Sequence, residues 1–243
     1  MSGSGDWLQQ APLLSDQDWR HGWSNSRGPD FRPDADAPEQ ADRVQELVLA
    51  ARLKTGAWAR QVHGGKVLQV TEAGFAGEAD ALWTDQPGLG VIGRGADCPL
   101  ILVGGTRPDE TRVWGFAHAS WRSTVQGITA GLILALTEAG ADPAGLRAVI
   151  CPSAGPCCYE VGEEVRQAAL ESLGPGAAWF FLENFDRLSF NLWEANIAQL
   201  TSAGVAESNI FNVGHCTICG GDLYPSYRRD GDQAGRFAAV IGF

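Results

Sequence analysis

Apolar residues recur at helical spacing in four stretches of the chain. In the first stretch, Val44, Leu47, Val48 and Ala51 fall on one helical face, and Gly56 follows as a normal stop signal. The same reasoning predicts three further amphipathic helices. The four predicted helices are Glu39–Thr55, Val125–Ala139, Tyr159–Leu173 and Phe190–Ala203.

Short apolar runs between these helices predict strands. Two of the runs, Trp58–His63 and Lys66–Val70, flank Gly64-Gly65, a dipeptide that favours a hairpin turn. Strands and helices do not alternate strictly, so we expect an α/β sandwich with a mixed sheet and not a dinucleotide-binding doubly wound fold. The other predicted strands are Gly90–Gly93, Pro99–Val103, Arg112–Ala117, Arg147–Cys151, Ile210–Val213 and Arg236–Phe243.

The composition is that of a globular protein. Hydrophobic residues make up 44% and charged residues 19% of the 243 residues, which is enough apolar material for a large core. We expect a single domain over residues 1–243, with the polar residues 1–20 as its least ordered part. Residues 27–42 carry three prolines and several aspartates, and they predict an irregular loop.

Charge and hydropathy narrow the classes of partner. A net charge of −11 argues against a nucleic-acid partner. The chain has no run of about 18 apolar residues, which a transmembrane helix needs, and its first residues lack the basic and apolar parts of a secretory signal. Six cysteines are too few for a disulfide scaffold. We therefore expect a cytoplasmic monomer or homodimer that binds neither membrane nor nucleic acid.

Three short segments contain residues that bind metals. His63 lies in Gln-Val-His-Gly, Cys98 in Ala-Asp-Cys-Pro and His118 in Ala-His-Ala-Ser-Trp-Arg. Two imidazoles and one thiolate are three ligands of a catalytic zinc, which leaves a fourth position for water or substrate. Each residue is predicted at a strand end, which favours convergence at one rim of the sheet. Taken singly, a buried cysteine or a loop histidine also has a purely structural explanation.

The other cysteines give a weaker signal. Cys157 and Cys158 precede a predicted helix, whose N-terminus lowers thiol pKa values, so either is a candidate nucleophile. Packing of small side chains at a turn is the commoner explanation. Cys216 and Cys219 form a Cys-x-x-Cys pair, but a structural zinc ribbon needs a second pair, and none stands at a suitable spacing. We therefore expect no metal site there.

Arginines are concentrated near the C-terminus of this acidic chain. Arg228 and Arg229 lie in Ser-Tyr-Arg-Arg-Asp, and Arg236 follows soon after. Guanidinium groups bind phosphate and carboxylate with two parallel hydrogen bonds. An anion-binding site is one explanation and a solvated surface is the other, with Arg122 as a possible fourth member of the site.

Together these segments resemble the YfiH-like family, also described as laccase-domain or multicopper polyphenol oxidoreductase proteins. The match runs from about His21 to the C-terminus and is strongest in Gln-Val-His-Gly, Ala-Asp-Cys-Pro, Gly155–Val165 and Ser-Tyr-Arg-Arg-Asp. The resemblance implies a three-layer α/β/α sandwich with mixed sheets, similar to a group of Cys/His deamidase toxins. It also implies a catalytic zinc held by His63, Cys98 and His118.

The resemblance further implies an activity. Members of the family act as purine nucleoside phosphorylases on adenosine, inosine, guanosine and methylthioadenosine, with adenosine deamination as a companion activity. Phosphate and nucleosides are then the expected small-molecule partners, and Arg122, Arg228 and Arg229 are the expected substrate-binding residues. Asp97 and Glu160 are the candidates for the general acid.

Two features bear on this interpretation. The chain has Ser120 and Ser123 where the family has glycine, which alters the pocket if those glycines allow close backbone approach or need a positive φ.

A multicopper oxidase needs many further histidines, and only His21 and His215 remain outside the three segments. True laccase chemistry is therefore improbable, although Cu²⁺ can occupy the zinc ligands because it outranks zinc in intrinsic affinity.

Two other functions remain open. A metal-free hydrolase would use Cys98 as nucleophile and His118 as base on amide bonds, such as those of peptidoglycan precursors. A zinc-stabilised binding module without catalysis would need a fourth protein ligand, for which Cys157, Cys158 and His215 are available.

Overall fold

Fourteen strands and seven α-helices build the molecule within residues 6–32 and 37–243, the part of the chain that the computed structural model describes. No helix in this part has the length and apolar character that a membrane crossing requires. The strands are β1 (Leu8–Gln9), β2 (Arg20–Ser24), β3 (Thr55–Arg60), β4 (Val67–Gln69), β5 (Gly74–Glu78), β6 (Ala81–Thr84), β7 (Leu89–Gly95), β8 (Leu100–Thr106), β9 (Arg112–His118), β10 (Arg147–Ile150), β11 (Phe181–Asn184), β12 (Arg187–Phe190), β13 (Ile210–Asn212) and β14 (Phe237–Gly242). The helices are α1 (Pro12–Ser15), α2 (Ala37–Ala50), α3 (Trp121–Val125), α4 (Ile128–Glu138), α5 (Glu163–Leu173), α6 (Leu192–Ser202) and α7 (Tyr227–Asp230).

Two six-stranded mixed sheets form the framework. The first has the order β1-β2-β14-β7-β3-β5 and the second β13-β10-β8-β9-β6-β4, while β11 and β12 form a separate hairpin. In the first sheet β3 is parallel to β5 and β7, and β14 is antiparallel to β2 and β7. The second sheet also combines both pairings, since β4 is parallel to β6 and β9 is antiparallel to β6 and β8. The expected mixed character is confirmed.

The two sheets pack face to face, and helices cover their outer faces. Successive side chains of a strand point to opposite faces, so in β7 Val91 lies in the core between the sheets and Ile92 packs against α2. A Cβ atom at Gly93 would lie 2.6 Å from the ring of Phe116 in β9, which shows how closely the sheets approach. Helices α4 and α6 cover the second sheet. The α/β class is as expected, but the layers number four and not three, because each sheet forms a layer of its own.

Several chain connections meet at one edge of this double sheet. Strands β3, β5 and β7 run parallel, so they end on the same side of the first sheet. After each of them the chain crosses to the second sheet and enters β4, β6 and β8 respectively. Strand β9 runs antiparallel to β6 and β8, and its last residue, His118, pairs with Leu100 at the start of β8. The three connections between the sheets and the end of β9 therefore lie at the same edge of the double sheet.

The predicted hairpin around Gly64-Gly65 is wrong. Strand β3 belongs to the first sheet and β4 to the second, so the two glycines lie on a connection between sheets. The first predicted helix also extends too far, because α2 ends at Ala50 and Thr55 already begins β3.

Two other helices are shorter than predicted. The Val125–Ala139 stretch is interrupted at Gly127, whose φ of +75° separates α3 from α4. Helix α5 begins only at Glu163, because Glu160 forms a bridge with Ser189 in β12. In the predicted loop 27–42, residues 37–42 are helical and residues 33–36 lie outside the described part, as do residues 1–5 of the N-terminal stretch.

Candidate metal centre and adjoining cleft

His63, Cys98 and His118 converge at the edge where the chain crosses between the sheets. His63 lies between β3 and β4, Cys98 lies between β7 and β8, and His118 ends β9. Their ligand atoms all lie within 4.8 Å of one another, and the two imidazole centroids are 5.2 Å apart. Within the described residues no further His, Cys, Asp or Glu joins this group. The arrangement suits one ion with a coordination position left open.

Asp80, which sequence reasoning missed, orients His118. It is fully buried, and its Oδ1 lies 2.8 Å from Nδ1 of His118. The imidazole therefore presents its other nitrogen, Nε2, to Cys98. A carboxylate behind a histidine is the usual outer shell of a metal-binding imidazole. A lone aspartate between two alanines at the start of an apolar strand was the signal that could have indicated it.

The same carboxylate holds the loop that carries His63. Asp80 accepts the backbone N–H groups of Val62, His63 and Gly64 at 3.1, 3.0 and 2.7 Å. His63 has a φ of 59°, a conformation that is uncommon for any residue other than glycine. Three hydrogen bonds to one buried acceptor thus hold an unfavourable loop conformation that brings the His63 ring to the centre.

The charges of Cys98 and His118 support each other. Burial raises the pKa of Cys98, but the adjacent His118 and His63 outweigh it and lower the pKa to about 6. Burial lowers the pKa of His118, but Cys98 and Asp80 raise it to about 9. Without a metal, the pair at neutral pH is therefore a thiolate beside an imidazolium. A thiolate is the form of cysteine that binds metals and that attacks as a nucleophile.

Asp97 positions the residue that follows it, Cys98. Its φ is 90°, and its carboxylate accepts the Thr217 hydroxyl and the Arg228 backbone N–H, both at 2.6 Å. Its backbone carbonyl accepts the Ala154 N–H at 2.7 Å. Asp97 was a candidate for the general acid on sequence grounds. In the structure it is buried, and its hydrogen bonds hold the segments of Ala154, Thr217 and Arg228 next to Cys98.

A cleft of about 480 Å³ lies next to the centre. Tyr159 lines the cleft, and burial and then the negative charge of nearby Cys98 raise its pKa. The Arg122 guanidinium lies 4.3 Å from the Trp121 ring, and that of Arg228 lies 5.1 Å from the Tyr159 ring. The polar and aromatic lining residues are Trp121, Arg122, Tyr159, Glu160, Glu164 and Arg228.

Arg229 does not line this cleft. A guanidinium has five N–H groups, and all five of Arg229 have acceptors within the protein. Its Nε and Nη2 bond to Asp230, its Nη2 also bonds to the Tyr224 carbonyl, and its Nη1 bonds to the carbonyls of Thr217 and Gly221. The structure therefore places Arg122 and Arg228 together, and it places Arg229 in the support of the neighbouring loops.

Ser120 and Ser123, at the positions where the resemblance implies glycine, are accommodated without strain. Ser120 has a φ of −56° and is the N-cap of α3, and its Oγ accepts the Ser123 N–H at 3.1 Å. The two hydroxyl oxygens lie 2.8 Å apart. Both side chains are buried. Neither position needs a positive φ in this chain, so the serines form a helix cap beside the centre.

The remaining histidines lie away from the centre. The His21 ring is buried between the Ala11 N–H and the Trp19 carbonyl, at 2.9 and 3.0 Å. His215 packs edge-on against Tyr224, with ring centroids 5.0 Å apart. Neither belongs to a metal-ligand group of the described residues, so the structure assembles no copper cluster of the laccase type there.

Four of the five remaining cysteines come together in a way that was not expected. The sulfur atoms of Cys157, Cys158, Cys216 and Cys219 all lie within 4.8 Å of one another. The expectation that Cys216 and Cys219 lack a second pair is wrong, because the vicinal pair Cys157-Cys158 provides it. Neither vicinal cysteine completes a closed four-ligand site with His63, Cys98 and His118.

Fold and site define an α/β protein with stacked mixed sheets and a two-histidine, one-cysteine centre at their common edge. The chain belongs to the family described as multi-copper polyphenol oxidoreductase laccase, whose model matches residues 33–243. The resemblance to the YfiH-like family is thereby confirmed.

Relatives of known name and structure agree with this assignment. The chain is 38% identical to the purine nucleoside phosphorylase of Deinococcus radiodurans, over 88% of this chain and 80% of that protein. It is 34% identical to purine nucleoside phosphorylase YlmD of Geobacillus stearothermophilus, over 80% and 74%. The crystal structure of that YlmD superposes with a TM-score of 0.83 at 28% identity, over 98% of this chain and 99% of that one. The hypothetical protein YfiH of Bacillus licheniformis gives 0.79 at 25% identity, over 92% of both.

Proposed function

We propose that this protein is a zinc-dependent purine nucleoside phosphorylase of the cytoplasm that also deaminates adenosine. It would convert adenosine, inosine, guanosine and methylthioadenosine, with phosphate, to the free base and the ribose 1-phosphate. The observation that carries the proposal is the convergence of His63, Cys98 and His118 beside a cleft that contains Arg122 and Arg228. The names of the relatives support the same reaction class.

The donor set fits zinc. One thiolate and two imidazoles are ligands that zinc prefers, and three protein ligands are typical of a catalytic site. Asp80 provides the carboxylate behind His118 that such sites use. When bound, zinc supplies Lewis-acid chemistry at the position that the three side chains leave open. Cu²⁺ can occupy the same ligands.

The cleft residues have distinct roles in phosphorolysis. A phosphate oxygen attacks the anomeric carbon of the ribose while the glycosidic C–N bond breaks, and the base departs with that electron pair and takes up a proton. Arg122 and Arg228 hold the phosphate with charge-assisted hydrogen bonds. Trp121 and Tyr159 offer aromatic surface to the purine. Glu160 lines the same cleft and is the candidate donor of the proton.

Deamination uses the same purine site with water as the second reactant. Water adds at the purine C6, the amino group leaves as ammonia, and adenosine becomes inosine. His63, Cys98 and His118 lie on the metal side of this site, and no phosphate is needed. The two activities can therefore be separated by varying phosphate alone.

Chromatography of adenosine incubated with the purified protein, with and without phosphate, tests the proposal. We expect adenine and ribose 1-phosphate only with phosphate, and inosine in both cases. Arg228→Ala should raise the KM for phosphate roughly tenfold or more, since a hydrogen bond to a charged group contributes about 1.5–3 kcal/mol. The exposed Arg27, paired with Asp6 at 3.6 Å, is a matched control. Unchanged adenosine with zinc bound would refute the proposal.

A metal-free cysteine hydrolase is the second candidate, because Asp80, His118 and Cys98 also form the arrangement of an orienting acid, a base and a nucleophile. Such a hydrolase would act on amide bonds like those of peptidoglycan precursors. Its mechanism gives His63 no role at the centre. Chelation separates the two candidates. We expect activity to be lost with chelator and restored by zinc, whereas a hydrolase would survive chelation and be lost on alkylation of Cys98.

A further inference from the structure

We propose that Cys157, Cys158, Cys216 and Cys219 bind a second, structural zinc ion. The four sulfur atoms lie within 4.8 Å of one another, and those of Cys157 and Cys219 are 3.6 Å apart. A tetrahedral zinc with Zn–S bonds of about 2.3 Å separates its sulfurs by about 3.8 Å. The cluster therefore already has the dimensions of a tetrathiolate site.

Hydrogen bonds between two loops build this cluster. Ser153 forms a parallel bridge with Cys216, donating its N–H to the His215 carbonyl at 3.1 Å and accepting the Thr217 N–H at 3.0 Å. The Gly155 N–H then donates to the Cys216 sulfur at 3.2 Å. The two loops are therefore hydrogen-bonded to each other at Cys216.

Two glycines allow the close packing around Cys216. A Cβ atom at Gly155 would lie 2.7 Å from the Trp193 ring and 3.2 Å from the Cβ of Cys216. A Cβ atom at Gly220 would lie 2.4 Å from the Cys216 carbonyl oxygen. A larger residue at Gly155 would push its loop away from Cys216, and one at Gly220 would distort the turn that carries Cys216 and Cys219.

A cation explains this grouping better than packing or a disulfide does. Cys157 and Cys219 are exposed, so burial of their thiols contributes little. A disulfide joins only two sulfurs, whereas here all four are close to one another. Cys151 shows the difference, because it is a fully buried thiol that packs in the core and does not belong to the cluster.

The second ion would stabilise the first centre from a distance. The loop with Cys157 and Cys158 also contains Ala154, and the loop with Cys216 and Cys219 contains Thr217. Both Ala154 and Thr217 donate hydrogen bonds to Asp97, the residue before Cys98. The cysteine site is therefore structural, and it positions Cys98 through Asp97.

Metal analysis of the full-length protein by native mass spectrometry tests this inference. We expect two zinc ions per chain in the wild type, one in Cys98→Ala and one in Cys219→Ser, with a lower Tm in Cys219→Ser. In the cobalt-substituted protein, sulfur-to-cobalt charge-transfer bands should persist in Cys98→Ala and fall sharply in Cys219→Ser.

Loss of all zinc in Cys98→Ala, or a disulfide within the cluster, would overturn the inference. A cluster that contains iron instead would overturn the assignment of zinc. If Cys219→Ser does not fold, the counts for the wild type and Cys98→Ala still decide the question. The counts do not depend on nucleoside turnover, so a failure of the proposed function leaves this test intact.

Discussion

The two cysteine-containing centres of this chain differ in how they are assembled. The His63, Cys98 and His118 centre has three candidate ligands at or near the ends of strands, and a buried carboxylate orients two of them. The other centre has four candidate ligands, all thiols, on two loops that are hydrogen-bonded to each other. Three ligands leave a position for chemistry and four leave none. We therefore expect the first centre to carry the proposed reaction and the second to contribute stability.

The largest effect should come from Cys98→Ala. Loss of the only thiolate at the open centre removes one zinc ion and abolishes nucleoside turnover, while the cysteine cluster keeps its ion. Cys151→Ala is the matched control, because Cys151 is fully buried and belongs to neither centre. It should retain both ions and the activity. Metal counts and turnover of both variants provide the check, and full activity in Cys98→Ala would contradict the division of roles.

A smaller effect is expected from Asp80→Asn. The substitution removes the charge behind His118 and weakens three hydrogen bonds to the His63 loop, so zinc affinity or activity should fall by about 10–100-fold. Competition with a chelator of known affinity measures the change. Asp85→Asn is the control, since Asp85 forms a part-buried pair with Arg107 at 2.9 Å and has no contact with the centre. Equal zinc affinity in both variants would show that Asp80 does not act on the centre.

The smallest effect is expected from the double substitution Ser120→Gly/Ser123→Gly, which introduces the glycines that the resemblance implies. An N-cap serine is replaced by glycine at a cost of a few tenths of a kcal/mol, and glycine inside a helix costs about 1 kcal/mol. The free energy of unfolding should therefore fall by about 1–2 kcal/mol, with zinc content unchanged. Denaturant unfolding and metal analysis are the measurements. Loss of zinc in this variant would contradict the prediction and show that the serines contribute to metal binding.

Local patterns were sufficient to predict part of this molecule. The helical spacing from Val44 to Ala51 and the strand ends at His63, Cys98 and His118 are properties of short segments, and the structure confirms that the three side chains meet. The hairpin at Gly64-Gly65 failed because a turn dipeptide does not reveal whether the next strand joins the same sheet.

Relations between distant segments could not be predicted. The two cysteine pairs are far apart in sequence, and only the packing of two loops makes them one cluster. Arg228 and Arg229 are neighbours in the chain, yet one lines the cleft and the other has all its N–H groups bonded within the protein. Their difference depends on the acceptors that surround each guanidinium, which no local pattern encodes.

The crossings between the sheets have a mechanical consequence. His63, Asp80 and Cys98 each lie where the chain passes from one sheet to the other, so a relative displacement of the sheets changes the distances among the groups of the centre. Gly93 sets the gap between the sheets against the ring of Phe116. Enlarging Gly93 would therefore distort the ligand geometry without touching a ligand. Core packing and the geometry of the candidate metal centre therefore cannot vary independently of each other in this protein.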